Sequence, residues 1–266
     1  AKNKRAYFDN VKRFTDRLKS KKREAISSEG DHLLAISKNQ YHKIEKNMEL
    51  DRCKIWKNET TKIRNILIYR IIASTGCRRE AIQNLKIEDW FYGPEFPEYY
   101  LPRVLINDKS SNYMKPRKIC SDFKTYSLLT EYLKLRKKLP STDDKKNGFL
   151  ILNLSGKRMN IRNVSEVFAQ MREKIEGIPQ WFSAHTMRRY WADNHVRMLL
   201  SQRNQGRKIS KDQIVGTLQY QLGHKSKSES TRLYTRLYNR DSCNDFLEER
   251  EKKLIEEIEK AKHESK

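Results

Sequence analysis

The sequence predicts a mainly helical α+β protein with a small antiparallel β-hairpin, preceded by a short basic helical segment. Apolar residues recur at helical spacing through most of the 266-residue chain. Only one region differs: the aromatic, β-rich run 99–106 and the short run 117–120 flank a polar turn. With 36% hydrophobic residues, the chain can form one large or two small cores. We therefore expect one main domain with an appendage.

The charge of the chain indicates a polyanionic partner. Its 57 Lys and Arg residues against 34 Asp and Glu residues give a formal net charge of +23, and the pI is near 9.8. Double-stranded DNA is the leading candidate. The longest apolar run, 65–73, is too short to span a membrane and contains Arg70. We expect a cytoplasmic, nucleoid-associated protein that does not bind membranes.

The cysteines do not predict a metal site. They are scattered along the chain, form no C-x-x-C pair, and have no histidine at metal-ligand spacing. We interpret them as reduced, structural thiols, and we expect neither a metal nor another cofactor; they are Cys53, Cys77, Cys120 and Cys243.

The two ends of the chain differ from its middle. Residues 1–23 are rich in Lys and Arg, with apolar residues at helical spacing, so this helix could follow a DNA backbone or present a solvated face. A second helix is expected over 31–49, and the predicted division is 1–50, 51–243 and 244–266. The last segment has a narrow apolar stripe that needs a partner groove, on its own domain or on a neighbouring subunit.

A strongly apolar helix begins the main domain. Thr60 or Thr61 is expected to cap it, and Gly76 is expected to end it. Arg78 stands at the start of the next helix, where a surface or capping role is the simplest interpretation. The hairpin then places Lys109 and Lys115 at its tip, where most lysines are merely solvated. Two more helices are expected over 121–139 and 163–176.

The chemically most suggestive stretch runs from 183 to 234. Ser183 can cap a helix that carries His185 and Arg188 on one face, because they are three residues apart. A basic loop is expected over 197–211. A further helix, starting at Ser210, stops at Gly223. His224 follows that glycine, and Tyr234 stands shortly after it.

This set of residue types suits phosphate chemistry. Arginine is a permanent planar cation that matches phosphate oxygens, histidine moves protons near neutral pH, and a tyrosyl oxygen can attack phosphorus. None of these roles requires a metal.

The motifs together resemble those of the tyrosine recombinase (phage-integrase) family over about residues 55–240. Thr75-Gly76-Cys77-Arg78, followed by Ile82 and Leu85, is similar to the family's first box. His185-Thr186-Met187-Arg188 is similar to its His-x-Leu-Arg box. Leu222-Gly223-His224 and Thr231-Arg232-Leu233-Tyr234 match its Leu-Gly-His and Thr-x-x-Tyr elements. Lys109-Ser110 resembles its hairpin lysine.

The resemblance implies a tyrosine site-specific recombinase that needs neither metal nor ATP. Tyr234 would form a 3′-phosphotyrosyl link, with Tyr238 as the second choice. Arg78 and Arg188 would stabilise the phosphate, His185 would exchange a proton, His224 would hydrogen-bond the phosphate, and Lys109, or its rival Lys115, would protonate the leaving oxygen. The family also implies a specific DNA site and a homotetramer at synapsis.

Other functions remain open at this stage. A hairpin telomere resolvase or a type IB topoisomerase would share the same active-site residues. A non-catalytic DNA-binding protein could keep the fold. A metal-dependent nuclease is disfavoured because the sequence offers no acidic pair or His/Cys cluster to hold the ion. The expected biological setting is the integration, excision or transposition of a mobile element.

Overall fold

The structure is a computed structural model that describes residues 36–98, 100–107, 116–204 and 208–223. The predictions for residues 1–35 and 224–266 lie outside these residues. So do those for Lys109, Lys115, His224, Tyr234, Tyr238 and Cys243.

The described part of the chain is mainly helical with one three-stranded antiparallel sheet, so the predicted fold class is confirmed. The elements are α1 (Lys38–Asn47), α2 (Glu59–Thr75), α3 (Arg79–Asn84), a 3-10 turn (Ile87–Asp89), β1 (Trp90–Phe91), β2 (Arg103–Ile106), β3 (Arg117–Cys120), α4 (Phe123–Lys137), α5 (Asp143–Lys146), α6 (Ile161–Lys174), α7 (Ala184–Asn204) and α8 (Lys211–Leu222).

Helix α2 is the centre of the main core. Its apolar residues are almost completely buried, and it packs against α4, α6 and α7. Gly76 ends it in the left-handed conformation, as predicted. The predicted cap, Thr60 or Thr61, is wrong. Asn58 caps the helix instead, because its side-chain oxygen accepts a hydrogen bond from the Thr61 amide at 3.0 Å.

The sheet confirms the predicted hairpin strands. Strands β2 and β3 pair antiparallel, from Arg103 opposite Cys120 to Ile106 opposite Arg117. Strand β1 adds a third, outer strand beside β2 that the sequence did not predict. Its two residues are too few to show the alternation by which strands are recognised.

Helix α7 is longer than predicted, and the expected basic loop over 197–211 is wrong in its first half. The helix continues to Asn204, so Arg197 lies within it. The extra turns carry Leu199 and Leu200, which pack on a small second core that includes Ile214 of α8. As predicted, α8 begins after Ser210, whose side chain accepts the Gln213 amide at 3.1 Å, and it ends at Gly223.

Helix α1 packs on the same core as α2. It is shorter than the expected 31–49 helix: Ser37 caps its start, and its last residue is Asn47. The Glu45 carboxylate accepts hydrogen bonds from the Tyr69 hydroxyl at 2.6 Å and from Arg70 Nη1 at 2.5 Å. Ile44 lies in the main core. The division of the chain at residue 50 stays a prediction.

Within the described residues, Cys53, Cys77 and Cys120 form no disulfide bond. Among the helices that the structure describes, none is long and apolar enough to cross a membrane.

Gly76 provides a test of this packing. A β-carbon at this position would lie 2.5 Å from Cε3 of Trp191, and the backbone φ of 62° is left-handed. Gly148 has a similar φ of 76° but open space around it. We expect Gly148→Ala to cost about 1–2 kcal/mol from backbone strain and Gly76→Ala to cost about 1–3 kcal/mol more from overpacking. Urea unfolding of both variants measures the difference, and equal losses would contradict the close packing of Trp191 on Gly76.

Candidate active site

Arg78, His185 and Arg188 line one open cavity of about 640 Å³. Arg78 stands immediately before α3, and the other two stand in the first turns of α7. Helix α6 forms the opposite wall of the cavity. Three of the six predicted site residues, from two motifs far apart in the sequence, are thus brought together.

Arg188 joins the motifs physically. Its side chain is 2% exposed. Its Nη1 donates to the carbonyl of Gly76 and its Nη2 to the carbonyl of Leu222, both at 2.5 Å. These bonds account for two of the five N–H donors of a guanidinium. The Thr-Gly-x-Arg, His-x-x-Arg and Leu-Gly-His motifs therefore meet at one side chain.

The turn before Arg78 is held rigidly. The Thr75 hydroxyl donates to the carbonyl of Ile71 at 2.6 Å and accepts the amide of Cys77 at 3.2 Å. Trp191, on α7, donates its indole N–H to the carbonyl of Ser74 at 2.9 Å. The buried threonine thus closes the turn from inside and the tryptophan covers it, which fixes the direction in which Arg78 leaves the backbone.

The start of α7 is also fixed. The Ser183 amide donates to the Thr186 hydroxyl at 2.7 Å, and the Ser183 hydroxyl accepts the Thr186 amide at 3.4 Å, as the predicted cap requires. Arg172 on α6 donates to the carbonyl of Phe182 at 3.1 Å. His185 follows directly and is exposed at the cavity rim.

The pKa of His185 is lowered from 6.5 to about 4. Solvent reaches part of the ring, but the loss of water from the rest of it is the main cause. Positive charges around the ring act in the same direction, from Arg189, Arg188, Arg78 and Arg79. At neutral pH His185 is therefore an uncharged base that can accept a proton.

Arg79 is a site residue that the sequence reasoning missed. Its Nη1 donates to the Ser165 hydroxyl at 3.1 Å, and its Nε lies 3.3 Å from a carboxylate oxygen of Glu80. It lines the same cavity as Arg78, and Arg162 on α6 adds a further cation there. The only sequence signal was the pair of adjacent arginines at the start of α3.

The other predicted residues lie outside the described part. The chain is described on both sides of the Lys109 segment, and before His224 it is described as far as Gly223. Lys109 belongs to the segment that joins Ile106 of β2 to Arg117 of β3. Gly223, the residue before His224, lies at the end of α8 beside the carbonyl that Arg188 binds. Tyr234 follows in the segment after it.

The described residues contain no group of three or more His, Cys, Asp or Glu side chains that could hold a metal ion. The donor set around the cavity is mainly cationic, which suits an anionic ligand such as a phosphate.

The chain belongs to the phage integrase family, also called the tyrosine recombinases. The family profile matches residues 35–240, which is most of the chain. It includes every motif residue named above. No curated protein matches the chain significantly.

Solved structures show the same fold. The XerH site-specific recombinase bound to its difH substrate, in a pre-cleavage complex, is 26% identical with a TM-score of 0.56, and the match covers 78% of this chain and 52% of XerH. XerA recombinase is 20% identical with a TM-score of 0.53, covering 76% and 58%. The Tn1549 transposon integrase, in complex with circular intermediate DNA, is 18% identical with a TM-score of 0.51, covering 76% and 60%. The chain thus spans little more than half the length of these relatives.

The lowered pKa of His185 makes the stability depend on pH. The unfolded chain takes up a proton at this residue near pH 6.5, whereas the folded protein does so only near pH 4. This group therefore lowers the stability as the pH falls from 6.5 towards 4. We expect His185→Gln to show a shallower fall of Tm over that window, and a proton NMR titration of the parent to place the His185 pKa near 4. A measured pKa near 6.5 would contradict the environment described here.

Proposed function

We propose that this protein is a site-specific DNA recombinase that cleaves and rejoins DNA strands through a 3′-phosphotyrosyl intermediate. The observation that carries the proposal is the meeting of Arg78, His185 and Arg188 at one cavity, with Arg188 bonded to the motif that precedes His224. Membership of the phage integrase family supports it.

The two arginines would stabilise the reacting phosphate. Charge grows on the non-bridging oxygens as the tyrosyl oxygen attacks, and a cation already held in position needs little reorganisation at that moment. Arg188 is held by two backbone carbonyls, and Arg78 leaves a turn closed by Thr75. Both supports come from the protein's own backbone and side chains, which is the condition for preorganised catalysis.

Proton transfer would be divided between a base and an acid. His185 is uncharged at neutral pH, so it can take the proton from the attacking tyrosine. Lys109, or its rival Lys115, would give a proton to the leaving 5′ oxygen, and His224 would hydrogen-bond the phosphate. Tyr234 is the proposed nucleophile, with Tyr238 as the second choice. The covalent link conserves the energy of the phosphodiester, so the reaction needs neither ATP nor a metal.

The partner would be double-stranded DNA at a specific site, for integration, excision or transposition of a mobile element. The net charge of +23 favours such a polyanion. XerH was solved on its difH substrate and the Tn1549 integrase on circular intermediate DNA, which is consistent with this partner.

We further propose a division of labour along the chain. Residues 51–243 would form the catalytic domain, and residues 1–50 would be a short basic helical core-binding or linker segment. Residues 244–266 would form a helix exchanged between subunits of a tetramer. Deletion of residues 245–266 tests this arrangement, since unchanged assembly on DNA would rule out the exchange.

A suicide-substrate assay tests the chemistry. The protein is incubated in EDTA with candidate-site DNA that is nicked beside the cleavage position, so that the released end diffuses away. We expect a denaturant-resistant protein–DNA adduct that is lost in Tyr234→Phe and kept in Tyr238→Phe. Site-specific DNA binding with no adduct would instead indicate a non-catalytic DNA-binding protein.

The products separate the related activities. Recombinant junctions are the expected outcome of the proposed reaction. Closed hairpin ends would indicate a telomere resolvase, and relaxed supercoils without exchange would indicate a type IB topoisomerase.

Arg78→Ala should slow adduct formation about 100- to 1,000-fold, because one preorganised donor at a developing charge contributes on that scale. The matched control is Arg52→Ala, since Arg52 does not line the cavity and its side chain forms an exposed ion pair with Glu49 at 3.2 Å. The single-turnover rate at saturating DNA separates this effect from weaker binding. A parental rate in Arg78→Ala would remove Arg78 from the proposed site.

A further inference from the structure

Arg117 is a charged residue on the buried face of a strand. In β3, Arg117 and Ile119 are buried while Lys118 and Cys120 are exposed. Arg117 is only 1% exposed and is among the largest side chains that are fully buried in the described residues. Burial of a charge is costly unless it makes specific contacts, so the contacts of this guanidinium need an explanation.

The guanidinium of Arg117 packs directly on Gly223. A β-carbon on Gly223 would lie 1.6 Å from Nη1 and 2.5 Å from Cζ of Arg117. This approach is possible only because Gly223 has no side chain, and its φ of 63° also favours glycine. Arg117 thus reaches from the sheet to the last turn of α8.

Two buried arginines therefore meet the same helix end. Arg188 binds the carbonyl of Leu222, and Arg117 covers the next residue. The carboxyl end of a helix carries a partial negative charge, which favours a cation there. The apolar contacts of α8 in the second core are with α7 and its neighbourhood, so they do not tie α8 to the sheet.

We propose that Arg117 is a positioning residue that fixes the end of α8, at the residue before His224 in the chain, against strand β3. The inference rests on the proposed function for its catalytic consequence. Arg188 connects the end of α8 to the turn before Arg78, and Arg117 connects it to the strand that follows the Lys109 segment. With only Arg188 in place, the helix end is held from one side.

Lysine cannot replace arginine in this position. Its ammonium is a single point charge on a flexible stem, whereas the guanidinium is a planar fork that can cover the peptide at Gly223. Arg117→Lys keeps the charge and removes the fork. Arg117→Met removes the charge, and since replacing a buried charge by an apolar side chain is often tolerated, it is a second route to a folded variant.

The experiment combines single-turnover adduct formation with a double-mutant cycle. Arg117→Lys and Arg117→Met are measured in the parent and in a His224→Ala background. We expect each substitution to slow the parent roughly 10- to 100-fold, the scale of a small misplacement in an active site. It should have little effect when His224 is already absent, because the effect of Arg117 on the reaction would pass through the residue that follows Gly223.

The matched control is Arg136→Lys. Arg136 is also a buried arginine and donates to backbone carbonyls, among them Phe149 and Leu150, but it does not line the cavity. The same substitution there should leave the rate of the folded protein unchanged. Parental rates in the Arg117 variants, or equal losses with and without His224, would overturn the proposal.

Amide hydrogen exchange separates this inference from the proposed function. In the Arg117 variants, exchange should become faster in the last turn of α8, residues 219–223, and not in α4. If the parent forms no adduct but this change occurs, the proposed reaction fails while the positioning of α8 stands. Unchanged exchange at the end of α8 would overturn the positioning role whether or not the protein is a recombinase.

Discussion

The two hydrogen bonds of the Arg188 guanidinium are the constraint on which the site depends. They connect the carbonyl that ends α2 to the carbonyl that ends α8. Each carbonyl lies at a helix terminus, where no partner exists within the helix itself. The arginine therefore satisfies two orphan acceptors and is in turn held by them. The side chain that is proposed to bind the phosphate thus also cross-links two segments that lie far apart in the sequence.

Several arginines line the same cavity, so their positive charges repel one another and oppose the uptake of a proton by any nearby group. The pKa of His185 is lowered mainly because part of its ring is desolvated, and the positive charges around it act in the same direction. The Arg79 guanidinium forms an ion pair with the Glu80 carboxylate and donates a hydrogen bond to the Ser165 hydroxyl on α6. At neutral pH the His185 imidazole therefore adds no positive charge to the arginines around it.

Much of the fold could be predicted from local patterns, and three of the six predicted site residues lie together at one cavity, while their roles stay a prediction. Helix α2, the two hairpin strands and the glycine ends at Gly76 and Gly223 follow from periodicity and backbone chemistry. The extension of α7 could not be predicted, because the basic residues after Val196 hid the apolar positions that continue the helix. The role of Asn58 could not be predicted, because Thr60 and Thr61 are equally good capping residues nearby. Arg117 was missed since its burial depends on a contact between a strand and a distant helix end. Such pairings leave no periodic signal.

The ion pair between Glu45 and Arg70 sets a lower limit on any minimal version of this domain. Arg70 is on the central helix and is largely buried. A shortened chain that lacks α1 would keep the Arg70 cation but lose the Glu45 carboxylate that pairs with it. Loss of one partner from a buried pair typically costs about 3–5 kcal/mol, a large part of the stability of an ordinary domain. Protein engineers who shorten or fuse this chain therefore have a structural reason to place the junction before Ser37, even though every residue lining the cavity lies further along.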